Sequence, residues 1–127
     1  MNCAAEIVQQ SQELGVQFDA IVHCTGSSST QAGLLAGFAA LGQKIRVIGI
    51  ADDDETVVKT ARVHQLANDA LAELGLAARI KLSDVEILAF DQNVYGKADP
   101  ETRDAIHLLA QTEGLIADPV YLSLIHI

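Results

Sequence analysis

Tryptophan is absent, and three phenylalanines and two tyrosines are all the aromatics among 127 residues. Any core must therefore be built from Ala, Val, Ile and Leu, which suits helices laid against a parallel sheet. Cysteine is scarce too. Cys3 and Cys24 cannot make a disulfide framework and fall in different predicted elements, so reduced thiols are expected. Basic residues are few: 8 Lys plus Arg against 17 Asp plus Glu leave a formal net charge of −9. That sign repels phosphate backbones and anionic lipid surfaces, which argues against nucleic-acid and membrane partners. No apolar run approaches the ~20 residues of a membrane helix, and residues 1–15 lack the basic start and long apolar stretch of a signal peptide. A cytoplasmic location is the expectation. With 50% hydrophobic and 20% charged residues, the composition is that of one globular domain and not of a disordered or fibrous chain.

What is present follows an αβαβαβα order. A helical pattern over residues 4–14 ends at Gly15, a left-handed cap. Residues 18–24 form an apolar run bounded by turn formers, as a buried parallel strand would be. An Ala-, Gly- and Leu-rich helix over residues 31–41 ends at Gly42, and a second strand follows over residues 45–50. Any of Asp52, Asp53 and Asp54 can N-cap the helical stretch 55–74. A third strand covers residues 85–90, and Asp99-Pro100 opens a last helix, closed by Gly114, with an N-cap and a first-turn proline. Short connections between alternating elements predict an α/β fold with an open, mostly parallel sheet and helices on both faces, three layers in all. The parallel strands are expected near residues 20–24, 46–50 and 86–90. Three strands make a narrow sheet, so the chain reads as a piece of a larger domain.

The strongest local feature is the segment Thr25-Gly26-Ser27-Ser28-Ser29-Thr30 between a strand and a helix. A helix N-terminus there presents unpaired N–H groups and a positive dipole end, to which Ser and Thr hydroxyls add donors, so a phosphate or carboxylate fits without a lysine. Ligands characteristically bind at this edge of an open α/β sheet. The plainer alternative is a polar loop with a serine N-cap. The segment is not a P-loop, and the G-x-G-x-x-G fingerprint of dinucleotide domains is missing, so Asp52 reads as a cap and not as a ribose ligand. His23, His64, His107 and His126 are 41, 43 and 19 residues apart, which fits no metal-ligand spacing, and no metal site is predicted. Tyr95 and Tyr121 lie at loop positions. Each reads as half-buried packing, or as a phenol serving as general acid or base beside the phosphate loop.

Thr25-Gly26-Ser27-Ser28-Ser29-Thr30-Gln31-Ala32-Gly33, the Tyr95-Gly96 step and Glu113-Gly114-Leu115-Ile116-Ala117-Asp118-Pro119-Val120-Tyr121 together resemble the D-cysteine desulfhydrase and 1-aminocyclopropane-1-carboxylate deaminase family. This family belongs to the tryptophan synthase β-like group of pyridoxal-phosphate enzymes. The resemblance implies that residues 1–121 are part of a fold type II large domain. It also implies that Thr25, Gly26, Ser27, Ser28, Ser29 and Thr30 cradle the 5′-phosphate of pyridoxal 5′-phosphate, and that Tyr95 and Tyr121 are the active-site tyrosines facing the substrate. For the full-length parent it implies a homodimer that releases a keto acid and ammonia, with sulfide as well from D-cysteine, from a small amino-acid substrate. L-cysteate sulfo-lyase action, or a non-catalytic ligand-binding or interaction module of the same fold, are the alternatives.

Two departures from the family pattern carry expectations. The family's Schiff-base lysine lies in an Asn-Lys motif upstream of this region, whereas Lys44, Lys59, Lys81 and Lys97 all stand in other contexts. The chain alone is therefore expected to be inactive. After Tyr121 the family continues with a Gly-Lys segment, where this chain has Leu122-Ser123-Leu124-Ile125-His126-Ile127. These six residues read as a non-native tail, with a genuine last strand as the alternative.

Overall fold

The computed structural model describes residues 1–51, 55–89 and 100–118. Within them the order is α1 (Asn2–Leu14), β1 (Ala20–Cys24), α2 (Ser29–Ala40), β2 (Arg46–Ala51), α3 (Thr56–Glu73), β3 (Glu86–Ala89) and α4 (Pro100–Glu113), with a 3-10 turn at Leu82–Asp84 before β3. No helix among the described residues is long and apolar enough to cross a membrane. The sheet has the order β1-β2-β3, and both pairings are parallel. The expected three parallel strands are thus found, with Phe90 and the tail residues 122–127 outside the described residues.

Helix ends follow local chemistry. Gly15 closes α1 at φ +64, and its N–H bonds the carbonyl of Gln12. α2 begins at Ser29, two residues earlier than expected, because Ser28 takes a left-handed φ of +70 and the chain turns helical at once. The N-cap of α3 is Glu55, without a side-chain cap bond. The expected capping candidates Asp52, Asp53 and Asp54 fall outside the described residues, as does Asp99 before Pro100.

Residues paired in register share a face, because side chains alternate along a strand. Ile21 pairs with Val47, and Gly49 with both His23 and Ile87. Ile21, Val47 and Ile87 join Ala32, Leu34 and Leu35 of α2 and Val63, Ala67 and Leu71 of α3 in one aliphatic core. α3 contributes a stripe at four-residue spacing: Lys59, Val63, Ala67 and Leu71 are all buried. α1 packs on α2 where Ala4 meets Gly37, and a Cβ on Gly37 would collide with that of Ala4. On the opposite face of the sheet the described residues leave Val22 41% and Leu88 58% exposed. Arg46 and Glu86 pair there at 2.6 Å, and the guanidinium holds the Glu86 carboxyl below its ordinary range.

Candidate functional site

β1 runs out at Cys24, and the six residues expected to bind an anion run from its carboxyl end into the first turn of α2, with Ser29 and Thr30 already helical. The N–H of Thr25 donates to the carbonyl of Ile50 at 2.8 Å, extending the β1–β2 pairing by one residue. Beyond that point the chain leaves the sheet. Ser28 is the only non-glycine with positive φ among the described residues. Such a conformation is uncommon outside glycine and clusters at ligand sites, and a left-handed residue leading into a right-handed helix turns successive N–H groups toward one point.

The hydroxyls divide into two sets. Ser27 and Ser29 are exposed and their Oγ atoms lie 2.8 Å apart, in hydrogen-bond contact. Thr25 and Ser28 are 2% and 1% exposed, and neither hydroxyl has a hydrogen-bond partner among the described residues. The plainer alternative is a serine N-cap. Ser28 does hold that position, yet its side chain makes no cap bond. A buried hydroxyl without a partner is costly, so these two await an acceptor or donor that the described chain does not provide. The first-turn N–H groups of α2 likewise lack intrahelical acceptors, and the first ladder bond runs from the Ala32 N–H to the Ser28 carbonyl. Hydroxyls, free N–H groups and a positive helix end form a donor set that a phosphate fits.

Two buried side chains outside the expected site residues hold the loop from behind. Lys59 is fully buried, and its Nζ donates to the carbonyls of Thr25 at 2.7 Å and Gly26 at 2.8 Å. Its position at the head of the Val63, Ala67 and Leu71 stripe was the available signal, since that spacing places a lysine among core residues. Gln31 is also fully buried. Its amide nitrogen bonds the carbonyls of Glu86 at 2.8 Å and Val47 at 3.3 Å, tying the first turn of α2 to two strands. Gly49 makes room for this arrangement: a Cβ there would lie 2.6 Å from Thr25 Cγ2 and closer still to Gln31 Oε1. Gly49→Ala is expected to cost ~1–3 kcal/mol through this overpacking, read as a lower urea midpoint; an unchanged midpoint would mean that Gln31 yields freely.

His23 precedes the loop on β1. Its Nδ1 donates to the Cys24 carbonyl at 2.8 Å, which leaves Nε2 as the acceptor of the neutral ring, buried and without a partner among the described residues. Burial pushes the imidazole below its ordinary pKa of 6.5, outweighing the carbonyl contact. Below 6.5 the unfolded chain therefore binds a proton that the folded chain refuses. Stability is fully present above that value, falls as the pH drops through it, and levels off once the folded-state pKa is passed. His23→Phe should flatten this acid-side loss in urea midpoints compared at about pH 7.5 and about pH 5; an identical loss in both proteins would assign it to other groups.

Tyr95 and Tyr121 lie outside the described residues. Cavities also occur elsewhere among the described residues. One of about 390 Å³ opens at the amino ends of β2 and β3 beside Lys44, Arg46, Arg79 and Glu86, and one of about 310 Å³ adjoins the end of α1. The first is at the sheet edge opposite the loop, and ligands of open α/β sheets bind at the carboxyl ends of strands. The loop is therefore the candidate site.

Comparison with known proteins gives a concordant picture. The family model described as pyridoxal-phosphate dependent enzyme matches residues 1–121. A 1-aminocyclopropane-1-carboxylate deaminase from Methylobacterium nodulans is 42% identical over 120 residues, covering 93% of this chain and 35% of that protein. One from Bradyrhizobium sp. strain BTAi1 is 37% identical over 119 residues with the same coverage, 93% and 35%. The chain thus spans about a third of the length of these curated relatives. A crystal structure of an ACC deaminase homologue superimposes with a TM-score of 0.84 at 33% identity, covering 98% of this chain and 36% of that one.

Proposed function

Because this chain belongs to the pyridoxal-phosphate dependent enzyme family, we propose that Thr25, Gly26, Ser27, Ser28, Ser29 and Thr30 hold the 5′-phosphate of pyridoxal 5′-phosphate in a deaminase of the 1-aminocyclopropane-1-carboxylate type. The observation that carries this reading is the pair of buried, unpartnered hydroxyls of Thr25 and Ser28 at the left-handed entry to α2. When bound, the cofactor supplies an electron sink for bonds broken at the substrate's Cα. The chain's own residues bind and orient. Backbone N–H groups of the loop and first helical turn donate to phosphate oxygens, the Thr25 and Ser28 hydroxyls add two donors, and the α2 dipole offsets negative charge. Burial of Thr25 and Ser28, 2% and 1% exposed, keeps these parts of the cradle away from water.

Tyr95 and Tyr121 are assigned, on the motif match alone, as substrate-side phenols able to hold or move a proton in the parent protein. The names of the relatives favour the cyclopropane amino acid over D-cysteine as the parent's substrate, with ammonia and a keto acid as products. A parent homodimer is part of the same proposal.

The test is equilibrium dialysis of the purified chain against pyridoxal 5′-phosphate and against pyridoxal. A loop that holds the phosphate predicts at least ~10-fold tighter binding of the phosphorylated compound, the equivalent of about one charge-assisted hydrogen bond. Equal affinities would remove the loop from the cofactor site.

A further inference from the structure

We propose that Lys59 is the positioning residue of the phosphate loop: it fixes two consecutive peptide planes so that the N–H groups of Gly26 and Ser27 face the anion. The inference rests on the reading of the loop as a phosphate cradle and adds to it the residue that sets the cradle's geometry.

The argument begins with the peptide plane. In a trans peptide the C=O and N–H of one plane point in opposite directions. The Thr25 carbonyl shares its plane with the Gly26 N–H, and the Gly26 carbonyl shares its plane with the Ser27 N–H. Both carbonyls accept hydrogen bonds from Lys59 Nζ, at 2.7 and 2.8 Å. Both N–H groups are thereby turned away from α3. The Thr25 N–H, bound to the Ile50 carbonyl, anchors the segment to the sheet just before these two planes. Three hydrogen bonds thus define the backbone where the loop starts, ahead of the left-handed Ser28.

The side chain's burial makes the arrangement stiff. Lys59 is 0% exposed, in line on α3 with Val63, Ala67 and Leu71, each also 0% exposed. A buried ammonium is tolerated when its donors are satisfied, and a carbonyl bonded to a charged donor is held more firmly than one bonded to water. The cationic charge also stands behind the loop, where it offsets the charge of a bound phosphate in a chain of net −9. The lysine does this without touching the ligand.

The experiment uses the 127-residue chain with inorganic phosphate and pyridoxal 5′-phosphate as probes. Lys59→Met keeps the unbranched chain up to the ε position and removes the donor, and Lys59→Arg restores donors and charge. The expected result is at least ~10-fold weaker phosphate binding in Lys59→Met with partial recovery in Lys59→Arg. Phosphate-induced shifts of the Gly26 and Ser27 amide signals should be lost with the methionine. A tie serving only to hold α3 to the loop would lower the melting temperature and leave the phosphate constant of the folded variant unchanged, and that outcome overturns the proposal. Should Lys59→Met fail to fold, the wild-type chain decides: scalar couplings across the hydrogen bonds from Lys59 Nζ to the Thr25 and Gly26 carbonyl carbons are expected, and their absence contradicts the proposal. Failure of the wild-type chain to bind phosphate at all overturns the cradle reading, and this inference with it; normal wild-type binding with an unaffected Lys59→Met overturns the inference alone.

Discussion

Gly26→Val is expected to raise the dissociation constant for pyridoxal 5′-phosphate by ~10–100-fold, with much less effect on stability. Gly26 lies between the two peptide planes bonded to Lys59 and directly precedes Ser27 and Ser28. A β-branched side chain at that point occupies the space through which phosphate oxygens approach the backbone and restricts the φ and ψ values that the lysine contacts impose. Losing one hydrogen bond to a charged acceptor is worth about 1.5–3 kcal/mol, or roughly ten- to a hundredfold in affinity. Isothermal titration of the wild-type and variant chains, with urea unfolding alongside, separates binding from stability. An unchanged dissociation constant would reduce the loop to a turn.

The second large effect is an absence of turnover. Incubated with pyridoxal 5′-phosphate and either D-cysteine or 1-aminocyclopropane-1-carboxylate, the 127-residue chain should release no pyruvate or 2-oxobutanoate. Covalent capture of the cofactor needs an amine held at its aldehyde. Lys59 is committed to the backs of the Thr25 and Gly26 peptides. Lys44 precedes β2 and Lys81 precedes the turn before β3, so both stand at the amino ends of the strands, the edge away from the loop. Lys97 lies outside the described residues and outside the Asn-Lys context of the resembled family. Borohydride reduction followed by peptide mass spectrometry should find no single lysine labelled stoichiometrically. Full labelling of one lysine together with keto-acid release would show that the chain is catalytically sufficient.

The fold was legible wherever one local signal decided the outcome. Apolar runs bounded by turn formers gave β1, β2 and β3, and left-handed glycines gave the ends of α1 and α4. The polar step after Cys24 was legible for the same reason, since strand, small polar residues and helix in that order put hydroxyls at a helix N-terminus. What escaped depended on contacts between distant segments. Lys59 reads as a surface lysine unless its register with Val63, Ala67 and Leu71 is counted, and only the folded chain brings it to carbonyls more than thirty residues earlier. Gln31 reads as an ordinary first-turn polar residue until β2 and β3 present their carbonyls to it. The start of α3 was shifted by one position because Glu55, at φ −58 and ψ 134, is the non-helical cap. The exposed Val22 and Leu88 face has a simpler origin: alternation along a strand marks two faces, and nothing in a short strand says whether a partner for the second lies within the same 127 residues.

The central claim is that the loop from Thr25 through Thr30 is a phosphate cradle, and an amide-resolved titration tests it most directly. In ¹⁵N–¹H spectra of the purified chain, pyridoxal 5′-phosphate should move the backbone signals of Gly26, Ser27, Ser28, Ser29 and Thr30 the most. Inorganic phosphate should reproduce those shifts and pyridoxal should not. Largest shifts around the cavity beside Lys44, Arg46 and Arg79, with the loop signals unmoved, would contradict the account.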